Sequence, residues 1–210
     1  MGRVTQAHID ARTKDILDSA VRLFARSGVE GTTMQEIAAE AGISAGAIYH
    51  YYPSKEHLVR AVFEDCSRGS REAFQRGAAG TGTPLGALRQ TGEIAWESIK
   101  HADGNEQTIL GLEMALAGAR RPEEFGPNRR ELMRSTVDML EATIRDAQRQ
   151  GELDSAVDAR AFALMLMASY LGSRVLALDL GDEVDTGRVR DMAMFLIDAF
   201  SGAKARVAAL

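Results

Sequence analysis

Gly42 stands between two short stretches of helical periodicity, and this arrangement restricts the fold more than any other feature of the chain. Upstream of it, Met34, Ile37, Ala38 and Ala41 form one apolar stripe, opened by Thr33 and Glu36 at capping-box spacing. Downstream, Ile48 and Tyr52 lie four apart and can face that stripe. Ala45 and Tyr49 occupy another face, with Gly46 and His50 beside them. A turn this short holds two helices at a steep angle, as in helix-turn-helix units. The second helix, expected over residues 44–51, therefore has one packing face and one wet face. Small residues on the wet face let a backbone sink into a major groove, where a phenol and an imidazole reach phosphates or base edges.

The helix starts point the same way. Thr33, Ser44 and Ser54 are each placed to begin a helix, and helix N-termini favour anions such as phosphates. Lys55 falls in the first turn of a fourth helix, against the macrodipole preference for an acid there. A phosphate opposite it would account for that placement.

Elsewhere Ala, Leu, Glu, Arg and Met recur at helical spacing and alternating strand patterns are scarce, which predicts an all-α protein of about nine helices. The first is expected over 13–27, with Gly28 as its stop. The small-residue run at 77–84 ends in Pro84, suited to the first turn of a fifth helix. Further helices are expected over 108–119, up to Gln150, and over 156–180 and 185–205. The domain expectation is a three-helix unit at 10–70, its helix-turn-helix at about 33–52, followed by a helical body at 71–210.

Charge is informative once divided along the chain. Residues 1–60 carry seven Lys/Arg and seven Asp/Glu, and the acidic excess of five lies entirely beyond them. This argues against loose coating of nucleic acid, where charge alone supplies affinity, and favours a small shaped site. Cys66 is the one cysteine, so no intrachain disulfide can form, and it continues the Val59 and Phe63 stripe as core. Residues 1–15 lack the apolar stretch of a secretory leader, and the longest apolar run, 161–172, is about half a membrane span. The expectation is a cytoplasmic protein with no membrane contact.

Catalytic patterns are missing. The four histidines (His8, His50, His57, His101) and Cys66 are scattered without metal-ligand spacing. The helices hold no inward Glu-x-x-His pair, and the chain has neither a Gly-rich phosphate loop nor a nucleophile elbow. No enzyme activity, cofactor or metal is expected.

The run from Ile37 onward reads Ile-Ala-Ala-Glu-Ala-Gly-Ile-Ser-Ala-Gly-Ala-Ile-Tyr-His-Tyr-Tyr-Pro-Ser-Lys-Glu-His-Leu. It resembles the TetR family of bacterial regulators over residues 10–65; beyond these only the number and lengths of the helices agree. The resemblance implies that Thr33 and Lys55 touch phosphates, that Ser44, Ala45 and Gly46 enter the groove, and that Tyr49, His50 and Tyr51 bind backbone or base edges. Members often carry a long or polar residue where Ala45 and Ala47 stand, so heavier reliance on backbone contacts and DNA shape is expected here.

The resemblance further implies a homodimer through the last two helices, a palindromic operator on double-stranded DNA, and a small-molecule effector that releases it. Residues 161–180 are apolar almost all round, as in a helix packed on two sides, and the final helix carries a stripe. Phe162, Met165, Leu166, Met192, Leu196 and Phe200 are the expected interface. Candidate effector contacts are Phe74, Trp96, Leu110, Met114, Met133, Val137 and Tyr170, with Glu113 and Arg174 as charges inside apolar helices. The bland readings are plain core for the apolar residues and a structural pair for the two charges. Three functions stay open on the sequence: a repressor, an activator of the same fold, and a helical adaptor or ligand-binding protein without DNA binding.

Overall fold

A computed structural model describes residues 6–78, 81–100, 104–124 and 126–201; the expected helix end at Ala205 lies outside them. Those residues form nine α-helices and two 3-10 turns, with no strand among them. In chain order they are α1 (Gln6–Gly31), α2 (Met34–Glu40), α3 (Ile48–Tyr51), α4 (Lys55–Ala78), α5 (Pro84–Glu97), α6 (Gly104–Arg120), α7 (Gly126–Arg149), α8 (Ala159–Leu180) and α9 (Thr186–Ser201). Gly28 breaks α1 where the sequence places its stop: its φ of 76° and ψ of 159° are non-helical, and a further helical turn runs on to Gly31.

The chain divides into two compact units. The first comprises Met1–Arg68 and Glu106–Glu131, the second Gly69–Asn105 and Leu132–Leu210. Segment 106–131, which lies well past the expected boundary near 70, thus belongs with the N-terminal residues. The reason is packing: Leu110, Met114 and Ala117 of α6 are buried in one cluster with Phe24, Ile37, Ile48 and Phe63. A polar contact adds to it, because Glu113 Oε2 accepts the Val29 backbone N–H at 3.3 Å. Cys66 packs at the margin of this cluster, and burial followed by the Asp65 carboxylate pushes its thiol up.

The second unit has its own core, drawn from α5, α7, α8 and α9 around Trp96, Val137, Ile144, Phe162 and Ile197. Helix starts are well satisfied. Thr83 Oγ1 accepts the Gly86 N–H at 3.0 Å, and Glu152 Oε2 accepts that of Leu85 at 2.8 Å. Asp158 Oδ1 accepts from Ala161 at 2.9 Å to open α8. Arg160 joins α8 to α7 through Asp138 at 2.8 Å and Glu141 at 2.6 Å. α5 approaches α9 so closely at Gly92 that a Cβ there would meet Met194 Cε at 2.5 Å.

α8 is apolar and long enough to cross a bilayer by length and composition, which the 161–172 run alone does not suggest. Arg160 near its start and Arg174 in its interior interrupt that character. Its apolar residues are divided between the core and an open face, described below.

Candidate nucleic-acid interface

The first unit shows how α2 and α3 are held. Thr33 caps α2 with a full capping box: its Oγ1 accepts the Glu36 N–H at 3.2 Å, and Glu36 Oε2 accepts the Thr33 N–H at 2.8 Å. The Thr33 hydroxyl also donates to that carboxylate at 2.8 Å. These bonds from Thr33 hold the Glu36 carboxyl below its ordinary value. Gly42 then turns the chain at φ 66°, a conformation that favours glycine, and Ile43 N–H closes the turn on Ala38 O at 2.9 Å.

Ser44 opens the next element. Its Oγ accepts the Ala47 N–H at 3.2 Å and its carbonyl accepts the same group at 2.9 Å, so residues 44–47 make a tight turn before α-helical bonding starts at Ile48. Helix α3 is therefore shorter than the 44–51 segment expected, although that whole segment runs as one hydrogen-bonded coil. Ile48 is fully buried and Tyr52 nearly so, facing Ile37 and Ala38 in the core. Burial, then the Asp65 and Glu64 carboxylates, raise the Tyr52 phenol.

The opposite face is open. Ser44, Ala45, Gly46, Tyr49 and His50 are exposed, and Tyr49 keeps 48% of its surface accessible despite its size. Tyr51 is half-buried against the core. Gly46 has no positive φ, and a Cβ built on it would meet nothing within 4 Å. The free chain therefore has no need of glycine there. A missing side chain on an exposed helical turn leaves the backbone open to close approach.

Thr33 and Lys55 are placed differently from the groove face. The Thr33 N–H and hydroxyl are both taken by Glu36. Lys55 Nζ donates to the Glu30 carbonyl at 3.2 Å, which puts a cation on the C-terminal end of α1. Its lysine value is lowered by burial first and by Arg121 second. Ser54 accepts the Leu58 N–H through its carbonyl at 3.2 Å, but its hydroxyl pairs with His57 Nδ1 at 2.9 Å instead of capping the backbone. Sequence spacing identifies these residues as helix starts but is blind to partners 25 residues away, such as Glu30 for Lys55.

The other expected site residues fall into both units. Leu110, Glu113 and Met114 belong to the first, where Glu113 binds the α1 backbone. Trp96, Met133, Val137, Tyr170 and Arg174 belong to the second, so Glu113 and Arg174 are not partners within one unit. The Phe74 side chain lies outside the described residues. Of the expected interface residues, Phe162 and Leu166 are buried within the protomer, and Phe162 meets Phe200 edge to face with ring centroids 5.4 Å apart. Leu196 also packs on that core, leaving Met165 and Met192 on the outside. The exposed large apolar residues of these helices are Leu164, Met165, Leu171, Leu176 and Leu180 on α8 with Met192 and Phe195 on α9.

A helix-turn-helix buried along one face and bare along the other defines a DNA-binding regulator. Residues 16–62 match the family model of the bacterial regulatory proteins, tetR family. The transcriptional repressor KstR2 of Mycolicibacterium smegmatis is 28% identical over 146 residues, 69% of this chain and 70% of that protein. The A-factor receptor protein of Streptomyces griseus is 26% identical over 184 residues, 87% of this chain and 59% of the receptor. Among solved structures, the transcriptional regulator FadR of Bacillus subtilis in complex with stearoyl-CoA shares the fold, with a TM-score of 0.75 at 20% identity over 90% of this chain and 98% of that one. Over residues 16–62 the chain thus carries the region shared by the tetR family of bacterial regulatory proteins.

Proposed function

We propose that this protein is a homodimeric repressor that binds a palindromic operator and is released when a small molecule binds its second unit. The carrying observation is the bare α3 face, where Ser44, Ala45, Gly46, Tyr49 and His50 are exposed around a helix anchored by Ile48 and Tyr52. Repression is supported by relatives such as KstR2, which bears the name of a repressor. Ligand response is supported by FadR, whose structure holds stearoyl-CoA, and by the A-factor receptor.

Groove contact then falls to Ser44, Ala45 and Gly46 through the backbone, and to Tyr49 and His50 through side chains. Tyr51 contributes its exposed edge. Thr33 and Lys55 act on phosphates only as secondary members of this set, since each is already bonded within the unit. Dimerisation uses the open α8–α9 face of Leu164, Met165, Leu171, Met192 and Phe195, an apolar surface that association would cover. A two-fold dimer reads two half-sites about one helical turn apart. An effector that prefers the non-binding state by about 1–3 kcal/mol weakens the complex roughly 5- to 150-fold.

A gel shift against the promoter region beside the protein's own gene tests this reading. The expected result is a sequence-specific, salt-sensitive complex whose footprint has two-fold symmetry. A helical adaptor would give no such complex, and an activator would bind but raise transcription from that promoter.

A further inference from the structure

Among the described residues, two buried polar side-chain atoms have no hydrogen-bond partner, Thr91 Oγ1 and Trp96 Nε1, and both lie on α5 in the second unit. An unpaired buried N–H is unfavourable, and a native structure that keeps one needs a reason for it. Packing supplies none here. Trp96 is 4% exposed and meets Tyr170 edge to face at 5.6 Å, an arrangement a phenylalanine could also make without the orphan donor.

Further polar groups gather at the same place. Ser98 Oγ and Tyr170 Oη lie 3.2 Å apart. Arg174 Nη1 donates to Tyr170 Oη at 3.2 Å, with its guanidinium 5.5 Å from the ring centre. Around these the core of the unit is apolar, with Leu88, Val137 and Phe162 among its members.

We propose that the second unit binds an apolar molecule carrying an acceptor oxygen, which receives the Trp96 indole N–H. The chemistry of the donors sets the class. An indole nitrogen and a guanidinium only donate, so the ligand must accept. The apolar core around them calls for a hydrocarbon body, and a protonated amine has no lone pair with which to accept the indole proton. A ketone, ester or carboxylate on a ring or chain fits; a cationic amphipath does not. This rests on the reading of the second unit as the effector unit, and it names the effector's class and the residue that selects it.

Trp96 is the single tryptophan of the chain, so one indole resonance in the ¹⁵N spectrum of the labelled full-length protein reports on it. The probes are 2-acetylnaphthalene, 2-naphthoate, 2-decanone and decanoate, with 2-ethylnaphthalene as the oxygen-free match and 2-(2-naphthyl)ethylamine as the cationic one. At least one oxygenated probe is expected to bind and move the indole proton downfield. Within the naphthalenes, the ketone should bind about two- to tenfold more tightly than the hydrocarbon, and Trp96→Phe should remove that preference. A response to 2-naphthoate or decanoate alone assigns an anionic acceptor, and a response to the ketones alone a neutral one; either supports the proposal.

Three results overturn it: no indole shift with any oxygenated probe up to its solubility, no oxygenated naphthalene binding more tightly than the hydrocarbon, or a preference that survives in Trp96→Phe. An indole proton that contacts only an ordered water, unmoved by every probe, belongs with the first. The wild-type spectrum decides even where the variant fails to fold. A gel shift run with the same probes separates this assignment from the release reading. A probe that shifts the indole but leaves the DNA complex intact sinks release alone, whereas release without an indole shift sinks the Trp96 assignment alone.

Discussion

Glu113 Oε2 lies 3.3 Å from the Val29 amide and would stand 3.1 Å from a Cβ on Gly28. One carboxylate on α6 thus meets the backbone of α1 where that helix is interrupted, joining segments 84 residues apart within the first unit. Gly28→Ala should cost about 1–2 kcal/mol, because φ is 76° and the new methyl presses on Glu113. Urea denaturation measures this. The cost should shrink in a Glu113→Ala background, where only the backbone strain remains; strict additivity would show that the two residues are uncoupled.

The capping box gives a second handle. Thr33→Ala should destabilise the protein by about 1 kcal/mol, since the Glu36 N–H loses its acceptor. The accompanying pH effect has a defined sign. The folded value of Glu36 is lowered from 4.5, so its contribution is present above 4.5 and is lost as pH falls through the lowered value. Thermal melting between neutral and acid pH should therefore show less acid sensitivity in Glu36→Gln than in the wild type.

On the open face of α3, stability and binding should separate. Tyr49 and His50 are exposed, so Tyr49→Phe and His50→Ala should leave unfolding within about 0.5 kcal/mol of wild type. Each should weaken operator binding, by about 1 kcal/mol for a lost phenolic hydrogen bond and about 1–3 kcal/mol for a base contact. Repeating the titrations at several salt concentrations reveals whether His50 makes a charged contact to phosphate, which changes the salt slope, whereas a base contact or a neutral phenol–phosphate bond does not. Unaltered binding in both variants would disprove the groove-face assignment.

The two sides of α8 should behave in opposite ways. Phe162→Ala removes a buried ring that meets Phe200 edge to face and should cost about 3–5 kcal/mol of folding stability. Met165→Glu with Phe195→Asp puts charges on the open face and should yield a folded monomer by sedimentation, with much weaker operator binding. A dimer that survives both charges places the interface elsewhere.

Much of the DNA-binding unit was legible because its signals are local. Gly42, the capping pair Thr33 and Glu36, and the phase of Ile48 against Tyr49 all act within a few residues, where helical geometry leaves little choice. What escaped depends on distant partners. Nothing near Leu110 or Met114 reveals that they pack with Phe24 and Phe63, and only that packing draws α6 into the first unit. The exposed side of α8 escaped for a different reason. An apolar pattern all round α8 carries no phase, so Phe162 and Leu164 look alike until the core claims one and leaves the other exposed. Lys55 combines both problems, being a cation at a helix start whose nearest acceptor is the end of α1. Trp96 was visible as a candidate, but its unpaired N–H emerges only once every neighbour is placed.

Under the proposed function, the bare residues 44–46 separate the reading of DNA from the stability of the fold. Ala45 and Gly46 are exposed, and nothing stands where a side chain on Gly46 would go. New side chains there would leave the core of Ile37, Ile48 and Tyr52 intact and change only what the helix presents to a groove. Operator preference can therefore drift, or be redirected by design, through substitutions that cost folding almost nothing. A regulator built this way can acquire new target sites while keeping its architecture.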